Sequence, residues 1–413
     1  MEKTYLNQLV LEQKKIFNKD IQIVKRNFSE NIISSPKIIV ITGIRRCGKS
    51  TLLRQLSKHY KNYSYINFED ERLLDFTYHD FNNLLEIFLS LNPKSKTFFF
   101  DEIQVINGWE KFARRLFTEG YKIFVTGSNA TLLSSEISTS LTGRNLRVEL
   151  FPFSFKEYLL FSKFEIKKVF TTEEKAILSQ HIKEYLHYGG FPEIVKSKDF
   201  EELNQIYQDI IIKDLLVRFK IRDQKDFREL SLFLLSNIGK KISYNNLKNL
   251  LNFSNTSKVK NYVDFLCEAY LFFTINKYDP SVKKQIVNDK KIYTVDTGLI
   301  NSTSFQFSEN RGSILENAVF LELKRRHKEI FYFEDKNECD FMIKSGRNIT
   351  HAIQVTDNLL NLSTRKREIE GLKAAMDKFN LSEGTIITLD AEENIIEDNQ
   401  KIHVIPYWKW LLF

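Results

Sequence analysis

Residues 37–50 read KIIVITGIRRCGKS, and this stretch decides the architecture. KIIVIT is a short apolar run rich in β-branched residues, set between Pro36 and Gly43. That is the pattern of a strand buried on both faces of a parallel sheet. Gly43-Ile44-Arg45-Arg46-Cys47-Gly48-Lys49-Ser50 then fits G-x-x-x-x-G-K-[ST] in full, and Thr51 leads into the helical pattern TLLRQLSKHY. Strand, loop and helix in this order are the context of a phosphate-binding P-loop. The spacing has a physical reason. Two glycines let the loop wrap tightly, so that successive backbone N–H groups point inward at phosphate oxygens, and the helix N-terminus adds partial positive charge. Lys49 is placed to reach the β- and γ-phosphates of ATP, and the Ser50 hydroxyl to ligate Mg2+.

Outward from this loop, strand-like runs recur at YSYINF (63–68), KTFFF (96–100), YKIFVT (121–126) and NLRVEL (145–150), with helical patterns between them. Alternation of this kind predicts an α/β parallel sheet. The run Phe98-Phe99-Phe100 ends in Asp101-Glu102, at the carboxyl end of a strand, where such sheets bind ligands. Asp101 is expected to organise the Mg2+ shell and Glu102 to polarise an attacking water. The next strand ends in Thr126-Gly127-Ser128-Asn129. Here two readings stand: Ser128 and Asn129 contact the γ-phosphate or the lytic water, or they cap a helix. Arg144, on a loop before the last strand, suits an arginine finger that reaches a neighbouring subunit's nucleotide, with an internal ion pair as the alternative. Arg45 and Arg46 are expected to pair with acids such as Glu69 or Asp70, and Trp109 to be core.

The succession GIRRCGKST, FFFDEIQ, VTGSN, LTGR and YGGFP resembles the AAA+-like prokaryotic ATPases, over about residues 1–225. The resemblance implies ATP binding and hydrolysis, one strand between the P-loop strand and the DE strand, and assembly into rings or with partners. It carries roles to Lys49, Ser50, Asp101, Glu102, Ser128 and Arg144. His187-Tyr188-Gly189-Gly190-Phe191-Pro192 matches a similar turn in the family's lid region and reads as a structural turn. The expected division is a helical arm at 1–35, the ATPase core at 36–158 and a helical lid at 159–225.

Residues 226–300 read as three short helices (227–238, 243–251 and 256–267) followed by two strands, at 270–275 and 292–295, around a wing with Lys283 and Lys284. The pattern resembles a winged helix with 256–267 as recognition helix. From 240 to 296 there are ten Lys, no Arg and five acids, a local +5. Lys258, Lys260, Lys283 and Lys284 are candidate DNA contacts, of the phosphate-binding, sequence-tolerant kind. A solvated or domain-packing lysine face is the alternative. Residues 301–413 resemble the restriction-endonuclease-like fold, with Asp340 opening a strand and Glu316 on a helix that also carries Glu322. That fold's second carboxylate and its lysine fall here on Gln354 and Thr356, so the site is expected to be degenerate; Lys366 is the one substitute in view. The whole chain looks like a two-part prokaryotic ATPase family whose C-terminal domain has no settled function.

The totals agree with several domains. A length of 413 residues allows two to four. Hydrophobic content of 42% and charged content of 28% exclude fibrous and disordered classes. Sixty-one basic residues against 53 acidic ones, a net +8, permit a nucleic-acid partner without demanding one. Cys47, Cys267 and Cys339 lack zinc spacing and suggest a reducing compartment. No signal-peptide pattern and no transmembrane run is visible, so a cytoplasmic protein without a membrane partner is expected. The function that emerges is an AAA+-like ATPase, DNA-associated, coupling Mg-ATP hydrolysis to conformational switching or assembly. The alternatives are a nucleotide-controlled switch or scaffold acting through protein partners, and an ATP-dependent, metal-requiring nuclease.

Overall fold

The apolar run before the P-loop forms β1, Ile38–Thr42, all five residues of which are buried. It joins β2 (Ser64–Asn67), β3 (Thr97–Asp101), β4 (Lys122–Gly127) and β5 (Asn145–Glu149) in the order β2-β3-β4-β1-β5. Every pairing is parallel. One strand, β4, therefore separates the P-loop strand from the Asp101-Glu102 strand. The inner strands are buried almost throughout because helices cover both faces, whereas β5 lies at an edge and is half exposed. Phe98, Phe99 and Phe100 are buried, and Phe99 stacks on Phe124 at 4.7 Å. Trp109 is core, 2% exposed at the start of the helix Trp109–Thr118.

The computed structural model describes residues 1–19, 23–128, 141–303, 311–327, 329–397 and 399–413. These fall into two compact units. One is Met1–Pro152 with Glu268–Tyr270; the other is Phe153–Cys267 with Leu271–Phe413.

In the first unit, the expected N-terminal arm is a layer of the core and not a separate element. The helix Lys3–Phe17 buries Leu6, Leu9, Val10 and Phe17, an i, i+3, i+4 stripe that needs an apolar surface to cover it. Phe17 stacks on Tyr65 at 3.8 Å. The Gln13 amide donates to the Asn67 carbonyl and accepts from the Asn67 N–H, so it satisfies the open edge of β2 as a further strand would.

The second unit carries a nine-stranded mixed sheet in the order β13-β14-β12-β11-β10-β9-β7-β8-β6. Its strands are β6 (Lys241–Ile242), β7 (Phe272–Lys277), β8 (Lys290–Thr294), β9 (Ile330–Glu334), β10 (Glu338–Ser345), β11 (Asn348–Val355), β12 (Glu383–Thr388), β13 (Glu393–Glu397) and β14 (Gln400–Pro406). This corrects the expected separation of 226–300 from 301–413. The open edge of β7 pairs in parallel with β9, Asn276 opposite Phe331, and both segments share one sheet. The three middle helices run Gln224–Leu235, Tyr244–Leu250 and Thr256–Glu268. Between β7 and β8, Lys283 and Lys284 ride on a short helix, Val282–Val287.

The Gly189-Gly190 turn ends the helix Thr172–Tyr188, and its sequence has a steric cause. A Cβ on Gly189 (φ +81°) would stand 1.8 Å from Asp296 Oδ1, and one on Gly190 would stand 2.3 Å from the Phe153 carbonyl. The Gly190 N–H donates to Asp296 Oδ2 at 2.6 Å, and the Gly190 carbonyl accepts from the Phe153 N–H at 2.7 Å.

Candidate functional site

The P-loop runs from the end of β1 to the helix Lys49–Ser57. Gly43 admits no side chain, because its Cβ would lie 2.0 Å from the Leu150 carbonyl oxygen. Gly48 takes φ 100° and Arg46 the left-handed φ 66°, which turn the loop back on itself. Cys47 is buried and its Sγ donates to the Leu150 carbonyl, so it is packing; burial pushes its thiol pKa up. Arg45 reaches Glu69 at 2.6 Å, as expected, while Asp70 is taken by Arg72 and Gln13.

Lys49 is 5% exposed. Its Nζ donates to the carbonyls of Gly43 (3.1 Å) and Ile44 (3.3 Å) and lies 3.2 Å from Glu102 Oε1. Glu102 follows β3 in the left-handed region (φ 49°), a conformation unusual for a non-glycine residue and common at active sites. Burial works to raise its pKa, but Lys49, Gln104 and Arg45 outweigh burial and hold the carboxyl below its ordinary value. The opposite holds next door. Asp101 is fully buried, and burial together with the Glu102 charge raises its pKa against hydrogen bonds from Thr126 and Ser50.

Ser50 thus touches the carboxylate with which it was expected to share Mg2+. A hydroxyl and a carboxylate side by side, at the end of an N–H-lined loop, are hard oxygen donors of the kind Mg2+ takes beside phosphate. The residues present fit that ion.

Thr126 is the residue that the sequence reading missed. It lies on β4 opposite Ile41, between the two key strands. Its hydroxyl donates to Asp101 Oδ1 and accepts from the Glu102 N–H at 2.8 Å. Ser128 is buried at 2% exposure. Asn129 lies outside the described residues. Arg144 is exposed, and its carbonyl accepts from the N–H of Ile38, the first residue of β1. At about 3.3 Å per residue it sits some 13 Å along the sheet from the end that carries the P-loop.

A second polar cluster lies wholly within the other unit. Glu316, Asp340 and Gln354 do come together, and around a lysine that was not foreseen. Lys291 of β8 is buried, its Nζ 2.6 Å from Glu338, 2.8 Å from Asp340 and 3.1 Å from Glu316. Tyr293 donates to Glu316 at 2.7 Å, and Gln354 accepts from the Asp340 N–H and donates to Glu368. Burial pushes the Lys291 pKa down, but the acids around it more than reverse this and keep the ammonium charged. Two expected members are elsewhere. Thr356 donates to the Asn358 carbonyl, and Lys366 is 76% exposed beside Glu370. Glu322 pairs with Arg325 and Arg326. Among the described residues, no group of three or more His, Cys, Asp or Glu is arranged to hold a metal ion.

Of the four candidate DNA lysines, Lys258 is ion-paired within the protein. Its ammonium lies 2.7 Å from Asp223 and 3.3 Å from Asp226, and over the rings of Phe253 and Tyr262. It staples helices together. Lys260, Lys283 and Lys284 are exposed.

A family model described as an AAA domain matches residues 35–159, and one described as a domain of unknown function (DUF8612) matches residues 179–310. An uncharacterized protein of Methanocaldococcus jannaschii, MJ1544, is 40% identical over all of this chain and 95% of its own length. The chain belongs to the family of MJ1544. An uncharacterized protein of Haemophilus influenzae is 30% identical over 84% of this chain and 92% of its own. The AAA domain of this family marks it as a P-loop ATPase family, in keeping with the strand order and loop geometry above. Among solved structures, domain III of the Thermotoga maritima replication initiation protein DnaA is similar at 19% identity and a TM-score of 0.25, over 34% of this chain and 68% of that one. The Aeropyrum pernix ORC1 protein, solved in complex with DNA, is similar at 11% identity and a TM-score of 0.31, over 73% and 91%. Likenesses this weak carry no argument about function. Among the described residues, no helix is long and apolar enough to cross a membrane.

Proposed function

We propose that the chain is a Mg2+-dependent ATPase that couples ATP hydrolysis to conformational switching or assembly, in association with DNA. The observation that carries this reading is the convergence of the P-loop lysine on adjacent carboxylates in different environments. Glu102 is held ionised beside Lys49, and Asp101 is buried and bonded to Ser50 and Thr126. In this reading the loop N–H groups and Lys49 grip the phosphates, and Ser50 and Asp101 hold Mg2+. When bound, that ion supplies charge neutralisation between the phosphates. Glu102, ionised at neutral pH, orients and deprotonates water. Thr126 fixes both acids by one hydroxyl. Arg144 adjoins the start of β1, the end opposite its own P-loop, so a finger role for it would operate on another chain's nucleotide. Lys49→Ala is expected to lose both ATP binding and phosphate release; turnover within twofold of the unaltered protein would refute the assignment.

The DNA part rests on residues 224–294. Helix, short strand, two helices and two strands follow one another, with β6 antiparallel to β8 and β8 to β7. This succession supports the winged-helix reading. Lys260, Lys283 and Lys284 would meet phosphates, so stimulation of turnover by DNA should fall steeply with salt. Absence of stimulation at every salt concentration favours a switch acting through protein partners. For residues 311–413, the helix Arg311–Arg326, the antiparallel meander β9–β10–β11, the helix Leu362–Phe379 and the parallel β12 support a restriction-endonuclease-like reading. Gln354 and Thr356 stand where a carboxylate and a lysine would be needed, and Lys291 sits among the remaining acids. The reading is therefore of a domain without nuclease activity. Plasmid cutting with Mg2+ or Mn2+ and ATP that disappears in Asp340→Ala would overturn it.

A further inference from the structure

Tyr270 is the one large side chain in a three-residue segment, Glu268–Tyr270, that packs with the ATPase unit although the chain on both sides belongs to the other. It stands in the turn between the helix Thr256–Glu268 and β7. Its backbone takes the left-handed φ 60°, which aromatic residues seldom adopt. Its side chain is 3% exposed. The hydroxyl lies 2.7 Å from Thr42 Oγ1, and also hydrogen-bonds the carboxylate of Glu149, the residue opposite Thr42 on β5. Both bonds are satisfied together when the phenol donates to Glu149 and accepts from Thr42.

Thr42 is the last residue of β1, and Gly43 begins the P-loop. The Thr42 carbonyl accepts from the Leu150 N–H at 2.7 Å, and the Leu150 carbonyl accepts from Cys47 inside the loop. A phenol therefore ties the floor of the P-loop to the ends of two strands. Packing alone does not ask for this. A phenylalanine would fill the same space, and the aromatic ring would still be buried. What the hydroxyl adds is a fixed position for the first residues of the loop, where sub-ångström placement of N–H groups sets phosphate affinity.

We propose that Tyr270 is a positioning residue for the P-loop. The inference rests on the proposed function for its nucleotide site. Tyr270→Phe removes both bonds of the phenol and should leave the fold intact while weakening binding of a fluorescent ATP analogue about three- to tenfold. Thr42→Val removes only the shared bond and should weaken binding by no more than that, and the double variant should be no worse than Tyr270→Phe, which already lacks the Thr42 bond. Turnover at saturating ATP should change less than affinity.

Several results would overturn this. Unchanged affinity in Tyr270→Phe, or additive losses in the double variant, removes the positioning role. An equal fall in melting temperature with no change in affinity makes the residue structural only. Unaltered protein that binds no nucleotide sinks the ATPase reading itself and this inference with it, which keeps the two failures apart.

Discussion

Glu102→Gln tests the site most directly, because it removes one charge and keeps the side chain's size. In the structure the Glu102 carboxylate lies 3.2 Å from Lys49 Nζ. With an effective dielectric constant of about 20, two unit charges at that distance attract by about 5 kcal/mol, a ceiling that desolvation reduces. Two consequences follow with opposite signs. Loss of a general base costs about 10²–10⁴ in turnover, or about 3–5.5 kcal/mol of barrier. Loss of the carboxylate also releases Lys49 from a competitor of the phosphates, which should tighten nucleotide binding by about 1–2 kcal/mol, roughly five- to thirtyfold in Kd. The assay is a pair: phosphate release at saturating Mg-ATP, and equilibrium titration with a fluorescent nucleotide. A variant that binds more tightly and turns over far more slowly bears out both halves. Turnover within threefold of the unaltered protein removes Glu102 from the chemistry. Slow turnover with weaker binding shows instead that Lys49 needs Glu102 to stay in place. Because Lys49 and Gln104 depress the Glu102 pKa in the free protein, the acid limb of kcat/KM should fall below about pH 4.5.

Lys291→Met leaves Glu316 and Asp340 buried without this cation, and Glu338, half-buried, with Lys241 alone, and should destabilise the protein by about 3–5 kcal/mol in urea titration at pH 8, less at pH 5, where Glu316, whose pKa burial raises to about 7, is protonated; equal stability to the unaltered protein at pH 8 would show the acids have another partner. Asp296, wholly buried, has its pKa raised by burial from 3.8 to about 7. Such a group contributes stability in full below the unfolded value and loses it as pH rises through the folded one. The gap of about three units is worth at most about 4 kcal/mol between pH 4 and 7. Asp296→Asn should flatten that slope relative to the unaltered protein, and parallel pH–stability curves would count against it.

The features legible in the sequence are those whose cause is local. A parallel strand covered on both faces is a continuous apolar run, so β1 to β4 announce themselves, and the P-loop is one unbroken octapeptide. Asp101 and Glu102 are visible because a carboxylate pair ends such a run. Thr126 escaped because its importance depends on which strands flank β4, a fact of sheet order that one polar residue at a strand end does not carry. Lys291 escaped for a related reason. The lysine among Glu316 and Asp340 was sought at the pattern's own position, 356, and on the following helix, whereas the cation comes from a strand 49 residues before Asp340. The ion pairs of Lys258 were not visible because Asp226 lies 32 residues earlier in the chain and Asp223 three before that. The division at 300 failed where the free edge of one strand met that of another, a pairing with no sequence signature of its own.

That last pairing constrains how the protein can be taken apart, in the laboratory or in descent. Where β7 meets β9, the ladder continues across what looks in the sequence like a joint between modules. A chain stopped after β8, or begun at Arg311, would expose a strand edge of the kind that recruits other chains and precipitates. Fragments made at residue 300 should therefore be insoluble on both sides of the cut. A C-terminal part inherited by another gene would need residues 271–294 to travel with it, together with the lysine that neutralises its acids.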